Sequence, residues 1–227
     1  MCAVIGVYLN KVNKADFTTI RNVFLESKIR GMHATGMTVL FNGKLLTFKE
    51  PVAADKFIHL DDLEEMVSDD GSLRIIGHCR YSTSYLEYNQ PLYTEDVSIV
   101  HNGVITQELY ENWEAKYGIK TTTKNDSELL LHTVNQNPLL YWKDASIASI
   151  ELHSNGTMKF YRNGKRPIYF TSLPNGVIIT STKDIAIRAG LKDPVDVGMN
   201  CYITTNNGII QKNFVMIDDA KDLQHVQ

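Results

Sequence analysis

Residues 2–9, Cys-Ala-Val-Ile-Gly-Val-Tyr-Leu, form a nearly unbroken apolar run that stops at Asn10-Lys11. A run of that length predicts a short strand buried on both faces. Between 15 and 29, Phe17, Ile20, Phe24 and Leu25 fall at helical spacing and predict an amphipathic helix. Met37 to Phe48 is apolar and β-rich around Asn42-Gly43, a hairpin signal, because Asn-Gly supplies the positive φ of a tight turn. Asp61 to Ser68 predicts a short acidic helix with Gly71 just beyond it. Leu73 to Cys79 reads as a strand, followed by a polar loop through Asp96, and Val97 to Val100 as another strand. Gln107 to Lys116 reads as a helix stopped by Gly118. Asn125, with Glu128 three residues on, predicts a capping box that opens a helix running to about Gln136 and ended by Pro138.

The last third alternates short apolar runs with turn residues. Ser146–Leu152, Thr157–Arg162, Pro167–Ser172 and Val177–Thr180 read as strands separated by Asn155-Gly156, Asn163-Gly164 and Pro174-Asn175-Gly176. Lys183 to Ala189 reads as a short helix capped by Gly190, and Cys201–Thr205 with Ile209–Val215 as a hairpin through Asn207-Gly208. Hairpin-connected strands with helices in separate runs point to antiparallel sheets in a layered α+β fold. No repeat, linker or composition shift divides the chain, so one domain over residues 1–227 is expected, with a charged tail after about 217.

Composition narrows the function classes. Lysine and arginine number 23 against 26 acidic residues, a net charge of −3, which argues against a basic phosphate-binding face and so against a nucleic-acid binder. The cysteines Cys2, Cys79 and Cys201 are too few and odd in number for a secreted disulfide framework and suit a reducing compartment. The N-terminus lacks a basic region and a small-residue cleavage site, and no apolar run reaches the ~18 residues of a membrane span. A cytoplasmic protein is expected, with no membrane partner. There is no phosphate loop, dinucleotide fingerprint or zinc spacing, so no cofactor or metal is expected. Without an ATP site the chain cannot by itself activate a carboxylate for ligation.

Four segments could carry chemistry, and each has a plainer reading beside it. Removal of Met1 would leave Cys2 as the N-terminal residue, joining a thiol of pKa ~8.5 to an α-amine of ~7.7–8.0 that can take its proton. Cys2 also reads simply as a small hydrophobe opening a strand. Gly77-His78-Cys79-Arg80-Tyr81-Ser82-Thr83 ends a strand with an arginine able to grip a carboxylate bidentately, or to sit in a surface ion pair. His101-Asn102-Gly103-Val104-Ile105 offers a side-chain amide and a following backbone N–H for an oxyanion hole. The chain holds six Asn-Gly pairs, however, and the other five sit where turns are expected. Asn125-Asp126-Ser127-Glu128 could bind an ammonium through Asp126, or merely cap a helix.

Taken together and in this order, the four segments resemble the glutaminase domain of the class II glutamine amidotransferases, the N-terminal-nucleophile domain of amidophosphoribosyltransferase, glutamine–fructose-phosphate aminotransferase, asparagine synthetase and glutamate synthase. Further stretches add to the resemblance: Arg30-Gly31-Met32-His33-Ala34-Thr35-Gly36, Asn89-Gln90-Pro91, and Arg162-Asn163-Gly164-Lys165-Arg166-Pro167-Ile168-Tyr169-Phe170. The matching elements run from Cys2 to about Leu191. The resemblance implies an N-terminal-nucleophile hydrolase fold, an αββα sandwich of two antiparallel sheets between helical layers. It implies that Cys2 attacks the side-chain amide of L-glutamine, with Asn102 and the Gly103 N–H holding the oxyanion. Arg80, helped by Thr83, would take the α-carboxylate and Asp126 the α-ammonium. Arg30, Gly31, His78, Tyr81 and His101 would support the site. The products would be a γ-glutamyl thioester and ammonia, then glutamate.

Two positions depart from the family pattern. His33 stands where the family has Asp, and Ser84-Tyr85-Leu86 follows Thr83 in what is the family's glutamine-closing loop. Family members continue into a synthase domain where this sequence stops. The leading expectation is therefore a glutaminase that passes ammonia to a separate synthase or ligase chain. The alternatives are an amidase for another γ-glutamyl amide and a catalytically silent binding or regulatory module.

Overall fold

The computed structural model of the chain describes residues 1–82, 88–206 and 209–215. In chain order its first strands and helix are β1 (Ala3–Leu9), α1 (Lys14–Ser27), β2 (Ala34–Phe41), β3 (Lys44–Glu50), β4 (Leu73–Arg80), β5 (Leu92–Tyr93) and β6 (Val97–Val104). Three short helices follow, α2 (Trp113–Tyr117), α3 (Ser127–Leu131) and α4 (Pro138–Tyr141). The remainder comprises β7 (Ser146–His153), β8 (Met158–Arg162), β9 (Tyr169–Leu173), β10 (Gly176–Thr180), α5 (Lys183–Arg188), β11 (Val195–Asp196), β12 (Cys201–Asn206) and β13 (Ile209–Phe214).

One sheet has the order β11-β9-β10-β1-β4-β2-β3 and the other β13-β12-β8-β7-β6-β5. Every pairing between described strands is antiparallel. Val4, Tyr8 and Ile76 of the first sheet pack against Val100, Ala148 and Ile150 of the second. The opposite face of β1, with Ile5, Val7 and Leu9, packs under α1 and α5. The outer face of the second sheet is covered by Trp113, Leu129, Leu130 and Leu139 from the helices between β6 and β7. The layers are thus αββα, and the expected α+β sandwich is the observed one. All seven residues of β1 are buried, as a run apolar on both faces requires at the centre of such a stack. No described helix is long and apolar enough to cross a membrane.

Local signals account for much of this. Asn13 caps α1 and Asp16 returns a hydrogen bond to its N–H, a complete capping box. Asn42-Gly43 turns β2 into β3 with both residues at positive φ. Gly118 ends α2 at φ +67°.

Other expectations are corrected. The strand predicted to end at Val100 continues to Val104, because β7 pairs with it through Gly103 opposite Ile147. The loop predicted through Asp96 contains β5, which pairs with β6, and the short β11 has no apolar run to announce it. The acidic stretch 61–68 forms only a 3₁₀ turn at Leu63–Met66, and the helix expected over 107–116 is a 3₁₀ turn at Tyr110–Asn112 leading into α2. The helix expected from Asn125 to Gln136 is only α3, and its capping box is absent. Glu128 turns away instead and accepts four hydrogen bonds, from the backbone N–H and hydroxyl of both Thr122 and Thr123. The Asn207-Gly208 turn lies outside the described residues.

Candidate active site

The first sheet sets the site's central pair. Antiparallel β1 and β4 place Ala3 opposite Cys79 and Val4 opposite His78, so the register carried one residue further sets Cys2 opposite Arg80. Side chains alternate faces along a strand. Val4, Ile76 and Val100 face the core between the sheets. By the same alternation Cys2, His78, Arg80 and Asn102 turn toward that intersheet side at one end of the sandwich. A cleft of about 330 Å³ opens there, lined by residues that include Cys2, His78, Arg80, Tyr81, Gly103 and Asp126.

Cys2 is held through its backbone neighbours. The Cys2 carbonyl accepts a hydrogen bond from Arg30 Nε at 2.9 Å, and the Cys2 Sγ lies 3.9 Å from the Tyr81 carbonyl. The β1–β10 ladder reaches Ile5 opposite Thr180 and no further, so at Val4 the Ser181 hydroxyl takes over, accepting from the Val4 N–H at 2.8 Å. Gly31 lets the chain that follows α1 lie flat against the end of β4. A Cβ there would stand 2.2 Å from the Cys79 carbonyl oxygen. Arg30 makes no ion pair among the described residues. His33, at the position where the resembled family has Asp, instead accepts from the Ser82 N–H at Nδ1, 2.9 Å away, with its ring against Tyr81 at 4.8 Å.

Arg80 is buried, and its Nη1 donates to Asn89 Oδ1 at 2.7 Å. Burial lowers its pKa, and the neighbouring Cys2 charge opposes that shift. His78 is fully enclosed, and neither ring nitrogen has a hydrogen-bond partner among the described residues. Burial, with the charges of Arg80 and His101 adding to it, pushes its pKa down to about 3, so its imidazole is neutral at pH 7.

On β6 the side chains are fixed by a dense polar frame. Gln90 clamps His101, accepting from its N–H at 2.6 Å and donating to its carbonyl at 3.1 Å. His101 Nε2 faces the Ser146 carbonyl at 3.0 Å, which can only accept, so that nitrogen carries the proton. His101 Nδ1 then accepts from the Ser127 hydroxyl at 2.8 Å. Burial lowers the His101 pKa, against the opposing pull of Asp126. Asn102 is 4% exposed, and its Nδ2 has no hydrogen-bond partner among the described residues. A buried amide left unpaired is rare, because desolvation without a partner costs about 1–3 kcal/mol. Gly103 is required beside it, since a Cβ there would fall 1.7 Å from the Ser146 carbonyl oxygen. Asp126, at the N-terminus of α3, accepts from the Ile105 N–H at 2.6 Å and the Thr106 N–H at 3.4 Å through Oδ2.

Of the residues singled out in the sequence, Cys2, His78, Arg80, Tyr81, His101, Gly103 and Asp126 line this cleft. Asn102 lies between two of them on β6, and Arg30 and Gly31 brace Cys2 and Arg80 from behind. Thr83 lies outside the described residues, as do Ser84–Leu86. Several framing residues escaped the functional reading. Asn89 and Gln90 belong to a stretch noted only for its resemblance, Ser127 sits within the Asn-Asp-Ser-Glu segment, and Ser181 carries no sequence signal. Among the described residues no group of three or more His, Cys, Asp or Glu is arranged to hold a metal ion.

No protein-family model matches the sequence, and no curated protein matches it. Solved structures match the fold. Glutamine phosphoribosylpyrophosphate amidotransferase from B. subtilis, in complex with ADP and GMP, aligns with a TM-score of 0.72 and 18% identity over 94% of this chain and 49% of that one. The fold is that of the class II glutamine amidotransferase domain. The allosteric regulatory enzyme of purine biosynthesis gives 0.70 and 20% over 94% of this chain and 49% of its own. This chain therefore spans about half the length of both. A glutamine aminotransferase class-II domain protein from Silicibacter pomeroyi aligns at 0.56 and 9% over 94% of this chain and 99% of that one. In that protein the amidotransferase fold makes up nearly the whole matched chain.

Proposed function

We propose that residues 1–227 form one glutaminase domain of the class II amidotransferase kind, with Cys2 as nucleophile. The observation that carries this reading is the buried Asn102 amide, without a partner among the described residues, on the intersheet side toward which Cys2 turns. A donor enclosed without an acceptor is what an oxyanion site looks like before substrate arrives. Removal of the exposed Met1 frees the Cys2 α-amine, which takes the thiol proton. The thiolate attacks the side-chain carbonyl carbon of L-glutamine. Asn102 Nδ2–H and the Gly103 N–H stabilise the tetrahedral oxyanion. The C–N bond then breaks, the α-ammonium returns its proton to the leaving nitrogen, and ammonia departs from a γ-glutamyl thioester. Water, deprotonated by the same amine, releases glutamate and restores Cys2.

Arg80, with Thr83, grips the substrate α-carboxylate, and Asp126 takes the α-ammonium through the oxygen not already bound to Ile105. Two fixed opposite charges thus read the amino-acid end while the nucleophile waits at the amide. His78, His101, Tyr81, Arg30 and Gly31 hold these groups in place. The ammonia goes to a synthase or ligase acceptor. The test is an intact mass before and after incubation with the diazoketone analogue of glutamine. Loss of Met1 and a single adduct mapping to Cys2 are expected. A processed chain that takes no adduct and hydrolyses no glutamine, alone or in cell extract, overturns the reading.

A further inference from the structure

A second cavity of about 660 Å³, twice the size of the cleft, adjoins it and shares Thr106 with it. One wall is aromatic. Tyr117 and Tyr141 both meet Trp142 edge-on, at 5.1 and 4.9 Å between ring centres. Arg166 also lines the cavity, half-buried, and makes no hydrogen bond or ion pair among the described residues. Its charge is felt by Arg30, behind the cleft, and by His101, which lines it. It adds to burial in lowering the pKa of both Arg30 and His101. Lys116 at the same cavity is already paired with Glu108 at 2.9 Å, and Asp144 is the one acidic residue in the lining.

These features have a common complement. A half-buried guanidinium with no partner among the described residues is satisfied by an anion, and its planar fork suits a carboxylate or phosphate. Rings set edge-to-face offer a wall for a flat apolar body. The volume falls within the ~300–1,000 Å³ typical of small-molecule sites. We propose that this cavity binds a small aromatic oxyanion, a benzoate-like carboxylate or an aryl phosphate, with the acidic group on Arg166 and the ring against Tyr141 and Trp142. The site is separate from the Cys2 cleft and does not depend on glutamine being the substrate there. Its occupant would touch Thr106, next to the Ile105 N–H that holds Asp126.

The test is calorimetric titration of the full chain with 4-hydroxybenzoate and phenyl phosphate. Phenol, which lacks the charge, and inorganic phosphate, which lacks the ring, are titrated beside them. At least one aromatic oxyanion is expected to bind about tenfold or more tightly than phenol and inorganic phosphate, a difference of ~1.4 kcal/mol or more. Arg166→Gln should weaken that binding at least about tenfold, Tyr141→Ala should weaken it too, and Arg166→Lys should retain part of it. The relative strength of the two oxyanions identifies the head group. Failure of both to bind, phenol binding as tightly as 4-hydroxybenzoate and inorganic phosphate as tightly as phenyl phosphate, or a well-folded Arg166→Gln variant with unchanged affinity overturns the proposal.

Discussion

The Ile105 N–H donates to the Asp126 carboxylate at 2.6 Å, so the segment that continues from Gly103 also holds the carboxylate at the head of α3. The proposed oxyanion donor and the proposed ammonium acceptor are in this way parts of one frame. Asp126→Asn can keep the Ile105 contact through its amide oxygen while losing the charge. It should raise KM for glutamine roughly 10–100-fold, the worth of a charged hydrogen bond of ~1.5–3 kcal/mol, with a smaller effect on kcat. Asp126→Ala also strands the Ile105 N–H, so it should lower the melting temperature and kcat as well. Steady-state kinetics and thermal melts on both variants separate the two roles.

Asn102 allows activity and stability to be told apart. Asn102→Leu removes the buried amide that has no partner while keeping most of the volume. It should cut kcat by roughly 10²–10³-fold if the amide stabilises an oxyanion. Denaturant unfolding should show stability unchanged or raised by about 1 kcal/mol, because an unsatisfied donor has gone. A loss of stability instead would make Asn102 a structural residue of β6.

Cys2→Ala should abolish glutamine hydrolysis and adduct formation. Glutamine affinity, measured by calorimetry, should stay within about threefold, a change of under ~1 kcal/mol, since Arg80 and Asp126 are untouched.

His78 makes the fold acid-sensitive. Its pKa is near 3 in the folded protein, pushed there by burial and by the charges of Arg80 and His101, whereas an unfolded histidine titrates near pH ~6.5. Above that pH both states are neutral at His78 and it contributes no slope. Below it the unfolded chain binds the extra proton, so stability falls as pH falls. From pH ~6.5 to 5 the loss from His78 alone should total roughly 1.6 kcal/mol, its slope steepening toward about 1.4 kcal/mol per pH unit. Burial lowers the His101 pKa as well and steepens the decline. Urea unfolding at pH 7, 6 and 5 should show this slope in the wild type and a shallower one in His78→Leu.

Glu128 is buried with four donors from Thr122 and Thr123 converging on its carboxylate. Glu128→Ala should destabilise the chain by at least ~2 kcal/mol, because it strands several of those donors. Chemical denaturation measures it. A change below ~0.5 kcal/mol would mean that water replaces the carboxylate at no cost.

The sequence made most of the strands and α1 legible because their signals are local. The run from Ala3 to Leu9, the Asn42-Gly43 turn and the spacing of Ile20 and Phe24 each declare their element within a few residues. Asn102-Gly103 was opaque for the same reason. The Asn-Gly pairs at 42, 155, 163 and 175 lie at or beside turns between strands, and nothing local marks 102 as different. What differs is β7, whose Ile147 pairs with Gly103 from 44 residues away and draws the dipeptide into a strand. Glu128 shows the converse error, where a local capping pattern lost to four donors on a neighbouring loop.

The order of residue types along the chain by itself determined most of the strands, the layered α+β class and the resemblance of the Cys2, Arg80, Asn102 and Asp126 segments to the motifs of one family. The tertiary structure alone decided that Cys2 lies across from Arg80, and that neither the buried Asn102 amide nor the cavity-lining Arg166 has a hydrogen-bond partner among the described residues. Strand register and burial join residues tens to more than a hundred positions apart, and a hydrogen bond is satisfied or left open only once those neighbours are in place.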